Sequence, residues 1–302
     1  MGLRLYFSLG QLLALLLSLS STPFLLLVAE QLEKPSNNRC DIFEGSWVFD
    51  NSYPLYDASQ CPFIDSALNC QNNGRPDTLY LHYKWKPIGC DISRFDGEEF
   101  LERNRGKKVM FVGDSLSNNQ WQSLGCMLHA AVPNANYTLT SRGRITTLFF
   151  LEYGVSVMFL KNGFLVSLEN RTLRLDTLSG SEEWKGVDVL IFNSYHWWLH
   201  TGRLRTGAEW NEPGVQDCRG QTKPVEGSNY PGTKPPGDAV VKSVVSNMKR
   251  PAILLDIVLL TQLRKDGHPS TYAGGGLDCS HWCLAGVPDT WNQLLYTILL
   301  QN

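Results

Sequence analysis

Four short apolar runs, at 109–112, 155–160, 187–192 and 253–260, carry the β-branched content of strands buried on both faces. Between them the period changes. Trp121, Leu124 and Leu128 recur at i, i+3 and i+7, and Val240, Val244 and Met248 at i, i+4 and i+8, so each set lines one face of a helix. Strands that alternate with helices predict an α/β fold, layered α/β/α around a mostly parallel sheet. A chain of 302 residues that is 43% hydrophobic can bury such a core, as one large domain or two small ones.

The first run feeds a turn with chemical content. Lys107 to Val112 leads into Gly113-Asp114-Ser115, and 116–130 continues as an amphipathic helix. In open parallel sheets ligands bind beyond the carboxyl ends of the strands, where a serine at a helix start meets unpaired N–H groups and the positive end of the helix dipole. Those groups can hold an oxyanion, and Gly113 lets backbone approach closely. The plainer reading is that Asp114 or Ser115 only caps the helix.

Near the other end of the chain, Asp278 and His281 are three residues apart and share a face in any helical turn. A nucleophilic serine needs a base, and the base needs a carboxylate that fixes its tautomer. Cys279 and Cys283 bracket the histidine and would hold it rigidly if both are bridged. A surface histidine beside a capping aspartate is the alternative.

Between Arg4 and Glu30 lie 25 residues without a charged side chain, long enough for a helix across a bilayer. Residues 1–30 read as a signal anchor, or as a cleaved signal peptide given the small residues at 18–20 and Pro23. The eight cysteines, Cys40, Cys61, Cys70, Cys90, Cys126, Cys218, Cys279 and Cys283, do not repeat as zinc knuckles, and an even set implies disulfides in an oxidising lumen. Asn136-Tyr137-Thr138 and Asn170-Arg171-Thr172 are glycan acceptor sequons that fit the same route. Residues 40–100 hold four of the cysteines and no long periodic segment, so they read as a loop-rich cap on a catalytic domain at 101–302. A net charge of −2 without a long basic run argues against a nucleic-acid partner.

Taken together, Gly113-Asp114-Ser115, the 192–198 stretch Phe-Asn-Ser-Tyr-His-Trp-Trp, Arg264-Lys265-Asp266-Gly267-His268-Pro269-Ser270 and Asp278-Cys279-Ser280-His281-Trp282-Cys283 resemble the plant trichome birefringence-like family. The stretch opened by Cys40-Asp41-Ile42-Phe43-Glu44-Gly45-Ser46-Trp47 is similar to its N-terminal signature. The resemblance implies an SGNH-hydrolase-like α/β/α domain in the Golgi lumen that acetylates cell-wall polysaccharides such as xylan or pectin. It implies a triad of Ser115, Asp278 and His281, and disulfides Cys40–Cys90, Cys61–Cys126, Cys70–Cys283 and Cys218–Cys279. No bound cofactor or metal is expected; an acetyl donor such as acetyl-CoA enters as co-substrate. Expected partners are the wall polysaccharide, the donor, and the membrane through the N-terminal helix.

The expected mechanism is ping-pong transfer through an acetyl-serine, with His281 as base and then acid. If water wins the second step the enzyme is a polysaccharide acetylesterase. Ser115 N–H, Asn193 and Gly143 are the candidate oxyanion donors, Gly143 also reading as an ordinary turn glycine. His196, Trp197 and Trp198 suit sugar stacking or a core. His268 competes with His281 as base but lacks a well-placed carboxylate.

One departure stands out. After Leu204, family members carry several tens of further residues, resembling a helix and a buried strand, that this chain omits. Residues 200–237 hold seven Gly and five Pro, too many to hide either element. The sheet is therefore expected to lack a strand and expose an edge, and an inactive short form or a non-catalytic polysaccharide binder is a third reading.

Overall fold

The computed structural model describes Arg4–Phe7 and residues 40–301, except 171, 195–214, 216, 233, 236, 250 and 251. Its centre is a seven-stranded sheet of β1 (Arg4–Phe7), β4 (Lys108–Gly113), β5 (Tyr137–Arg142), β6 (Ile145–Phe150), β7 (Val155–Lys161), β10 (Val189–Asn193) and β11 (Ala252–Leu254). The order is β11-β1-β10-β4-β7-β6-β5. The first five strands of that order pair in parallel, whereas β6 and β5 extend the sheet antiparallel. The mixed α/β architecture is the one expected, with less of the sheet parallel than the apolar runs suggested.

Alternation along the strands decides which side chains face which layer. Val109, Phe111 and Ile191 join the main core with helices α2 (Ser115–Ala131) and α5 (Val287–Leu300). Met110, Val112, Leu190 and Phe192 point the other way and pack with Leu165, Val187 and Trp184. That second face is closed by the segment holding a separate hairpin, β8 (Val166–Glu169) with β9 (Thr172–Leu178). Helix α3 (Asp238–Asn247) packs beside β11 through Val241 and Val244.

The run at 253–260 is not one strand. It divides into β11 and helix α4 (Val258–Gln262). Between them Asp256 pairs with Lys242 of α3 at 2.7 Å. An apolar run alone cannot distinguish a buried strand from a buried helical turn.

The slot between β10 and β11 is filled, but from an unexpected source. Arg4–Phe7 lies there, parallel to both neighbours. With the internal segment absent, two strand edges offer unpaired backbone groups, and any extended segment that reaches them can satisfy them. The rest of the leader expected at 1–30 falls outside the described residues, and among those described no helix is long and apolar enough to cross a membrane.

The cap is tied down from several directions. Strands β2 (Gly45–Phe49) and β3 (Tyr83–Pro87) form an antiparallel pair, and Trp47 meets Trp85 edge to face at 5.6 Å. Trp47 Nε1 donates to the Leu260 carbonyl at 2.8 Å. Helix α1 (Gly97–Arg103) leads from the cap into the domain that carries the sheet. All four disulfides form as the resemblance implied: Cys40–Cys90, Cys61–Cys126, Cys70–Cys283 and Cys218–Cys279.

Candidate active site

Strand β4 ends at Gly113, whose backbone pairs so closely with β10 that a Cβ there would stand 1.7 Å from the Asn193 carbonyl oxygen. The chain then turns into α2. Asp114 is the N-cap, accepting the Leu116 N–H on Oδ1 at 2.9 Å, and Ser115 is the first helical residue with an exposed side chain. Capping and exposure are thus divided between neighbours: Asp114 caps the helix and Ser115 stays exposed at its start. Asn193 is buried at the end of β10 and accepts the Asp114 N–H on its carbonyl at 3.1 Å. The helix start and Asn193 therefore stand together at the carboxyl ends of adjacent strands.

Gly143 is placed differently. With φ of +60° it forms the turn between β5 and β6, two strands away from β4 in the sheet. That is the geometry of a turn glycine. His196, Trp197 and Trp198 lie outside the described residues.

On the opposite segment, Asp278 Oδ2 lies 2.7 Å from His281 Nδ1, while Oδ1 accepts the N–H groups of Ser280 and His281 at 2.8 and 3.1 Å. This leaves Nε2 as the nitrogen able to act as base. Ser270 and Asp278 exchange backbone hydrogen bonds at 2.8 and 2.9 Å, and the disulfides at Cys279 and Cys283 fix both sides of the histidine.

The two segments meet through Asn119, one turn along α2 from Ser115. Its Oδ1 accepts the Trp282 N–H at 2.8 Å and its Nδ2 donates to the Trp282 carbonyl at 3.2 Å. Asp65 of the cap adds a second tie, accepting from Gln122 Nε2 at 2.6 Å and Asn118 Nδ2 at 3.2 Å on the same helix. Neither Asn119 nor Asp65 belongs to a motif that the sequence marks out. The available signal was the amide cluster Asn118-Asn119-Gln120 in a helix, where such residues are unfavourable unless something uses them.

His268 proves to be a strut. It is buried, its Nδ1 lies 2.7 Å from the His281 carbonyl, and its ring stacks on Trp282 at 3.9 Å. Burial pulls its pKa down to about 4, so the neutral ring donates to that carbonyl over the physiological range. Arg75 in turn donates to the carbonyls of Asp266 and His268 at 2.7 and 3.0 Å, and Arg264 pairs with Asp266 inside the core at 2.9 Å. The stretch 264–270 thus supports the segment that carries His281.

Electrostatics follow from these contacts. Burial works to raise the Asp278 carboxyl, but the His281 ring and two backbone N–H groups outweigh it and hold it well below the usual carboxylate range. Burial likewise works to lower His281, yet the hydrogen bond and charge of Asp278, with the charges of Asp114 and Asp65, leave it raised. Asp114 is pushed up to about 6 by burial, against the N–H groups of Leu116 and Ser117 and the charge of His281. An exposed hydroxyl at a helix N-terminus and an oriented imidazole on an adjoining segment are the parts of nucleophilic acyl chemistry.

The family model described as PC-Esterase, a GDSL/SGNH-like acyl-esterase family found in Pmr5 and Cas1p, matches residues 92–208 and 204–298. The PMR5 N-terminal domain model matches residues 38–91. Among curated relatives from Arabidopsis thaliana, protein trichome birefringence-like 42 is 48% identical over 326 residues, covering 87% of this chain and 90% of that protein. Protein trichome birefringence-like 38 is 45% identical, covering 86% of this chain and 84% of its own length. Protein trichome birefringence-like 40 is 42% identical, covering 99% and 100%. The 326-residue alignment is longer than the 302-residue chain it only partly covers, so the relative carries residues absent here. The two parts of the PC-Esterase match meet at 204–208, which puts the omission after Leu204.

Proposed function

The chain belongs to the PC-esterase family of GDSL/SGNH-like acyl-esterases, and from that premise we propose that it moves an acetyl group onto a cell-wall polysaccharide hydroxyl through Ser115. Ser115 Oγ attacks the acetyl carbonyl of a donor such as acetyl-CoA while His281 Nε2 takes its proton and Asp278 holds the ring. The helix N-terminus, including the Ser115 N–H, and Asn193 face the developing oxyanion. Collapse expels the donor's leaving group, protonated by His281, and leaves acetyl-serine. A sugar hydroxyl then gives its proton to His281 as it takes the acetyl group, and the proton returns to Ser115. A cell-wall polysaccharide acceptor, with xylan and pectin as candidates, is part of the same proposal.

The observation that carries this reading is the 2.7 Å Asp278–His281 pair on a segment clamped by Asn119 to the serine's own helix. Four disulfides favour an oxidising compartment, so we place the enzyme in the Golgi lumen or, exported, in the wall; anchorage through residues 1–30 would need Arg4–Phe7 to leave the sheet. The exposure of Ser115 favours a second reading, hydrolysis of acetylated polymer, because water reaches the acyl intermediate.

One assay separates them. Purified protein is given labelled acetyl donor with unacetylated xylan or pectin, and acetylated polymer alone. Label on the polymer supports transfer, and acetate released from acetylated polymer without transfer supports the esterase. A folded sample in which a fluorophosphonate fails to label Ser115, and which does neither reaction, would sink both.

A further inference from the structure

An open cavity of about 690 Å³ lies between the cap and the segment that follows His281. Cap residues at 54, 56–59, 69, 71 and 72 line it, with Ala285, four residues beyond His281, on the other side. That volume suits a few linked sugar rings. Asp57, Ser59, Asn69, Gln71 and Asn72 contribute amides, a hydroxyl and a single carboxylate to the lining. Tyr56, Leu81 and Ala285 contribute apolar surface, and none of the described lining residues is a Lys or Arg.

The walls are held before any ligand arrives. Cys70–Cys283 and the hydrogen bond from Leu284 N to the Leu68 carbonyl, 2.9 Å, tie the two sides together. Asp57 caps its own turn through Ser59 N at 2.8 Å, and Gln71 Nε2 is fixed on the Asp77 carbonyl at 2.9 Å. The guanidiniums packed at this interface, Arg75 and Arg264, are committed to Asp77 and Asp266. Rigid polar walls lower the ordering cost of binding.

We infer that this cavity is a subsite for a neutral, hydroxyl-rich sugar chain and disfavours an anionic polyuronide. Side-chain amides both donate to and accept from sugar hydroxyls, and apolar side chains take the C–H faces of the rings. Among the described lining residues a uronate carboxylate would find no cation and one like charge, Asp57, which costs affinity. The subsite rests on the proposed function only in taking the acetyl acceptor to be a polysaccharide, and it selects a xylan- or mannan-like backbone over a pectic one.

Calorimetry on the full chain tests it without any chemistry, with a neutral β-1,4-linked xylohexaose and an anionic hexagalacturonate as probes. Asn72 is exposed at the cavity, so Asn72→Trp obstructs it and Asn72→Lys adds a cation, and circular dichroism checks that both fold. The wild type binds xylohexaose and not hexagalacturonate. Asn72→Trp weakens xylohexaose about tenfold, the loss of one or two sugar hydrogen bonds, and Asn72→Lys brings hexagalacturonate binding into range. Equal affinity for the two chains, or unchanged binding in a folded Asn72→Trp, overturns the subsite. Binding without acetyl transfer or acetate release would instead leave the subsite standing and remove the proposed reaction.

Discussion

Asn119 satisfies both backbone groups of Trp282 with one side chain, registering the residue after His281 against the helix that begins at Ser115 across 163 positions of sequence. Asn119→Ala leaves a buried N–H and a buried carbonyl without partners, at a cost of about 2 to 4 kcal/mol. The base then loses its registration, and kcat falls about 100-fold. Asn119→Asp keeps the acceptor alone and lies between. Thermal unfolding and kcat, measured together, check the order of the three proteins.

Under the proposed mechanism the Asp278–His281 pair sets the pH profile. His281 must be neutral to accept a proton, and its raised pKa puts the acid limb of activity above the ordinary histidine value of about 6.5. Asp278→Asn removes the largest raising influence, so the limb moves to lower pH, while kcat falls by roughly 10⁴ as the tautomer is lost. A limb that stays in place would refute the assignment. The pair's stabilising effect has two bounds. Asp278, held low, loses its contribution as pH falls below about 4, and His281, held high, loses its own as pH rises above about 6.5.

Asp289 gives a stability trend opposite to that of Asp278. It is buried, accepts from Ser123 Oγ at 2.6 Å, Tyr56 Oη at 3.1 Å and Gly286 N at 2.8 Å, and burial still pushes it up to about 6. A carboxyl with a raised folded pKa stabilises most below its unfolded value and loses that contribution as pH rises through about 6. Between pH 4 and 7 this amounts to on the order of 2 to 3 kcal/mol. Asp289→Asn flattens that slope in denaturant titrations run at several pH values.

Reduction should act on activity before it unfolds the chain. Cys218–Cys279 and Cys70–Cys283 flank His281 directly, whereas Cys40–Cys90 closes a loop within the cap. Replacing Cys218 and Cys279 by serine lowers kcat, and the lost cross-link costs about 2 to 4 kcal/mol. Removing Cys40–Cys90 in the same way leaves kcat near the wild type. Equal kcat in the two double variants would show that the flanking bridges do not position the base.

Gly113→Ala introduces a Cβ 1.7 Å from the Asn193 carbonyl oxygen, so β4 and β10 must separate just below Ser115. Destabilisation of about 3 kcal/mol or more and loss of Ser115 labelling are expected. Labelling at the wild-type rate would mean that this close pairing does not position the serine.

Much of this was legible locally. The runs at 109–112, 155–160 and 187–192 became β4, β7 and β10, and the helix after Ser115 ran as its spacing predicted. The hairpin of β5 and β6 is hard to read from the sequence, because Tyr137–Arg142 is largely exposed and its apolar alternation stops after Leu139. His268 read as a competing base, since nothing in its neighbours shows that the ring will be buried against Trp282 and the His281 carbonyl.

By itself the sequence determined the strand that ends in Gly-Asp-Ser, the Asp-x-x-His spacing and the even cysteine count, because each depends on residues within a few positions of one another. Only the tertiary structure decided that Asn119 would grip Trp282, that Arg75 and His268 would brace the base, and that Arg4–Phe7 would stand between β10 and β11. Those contacts join residues far apart along the chain, and a buried polar group takes whichever partner packing brings within reach, which no local spacing can specify.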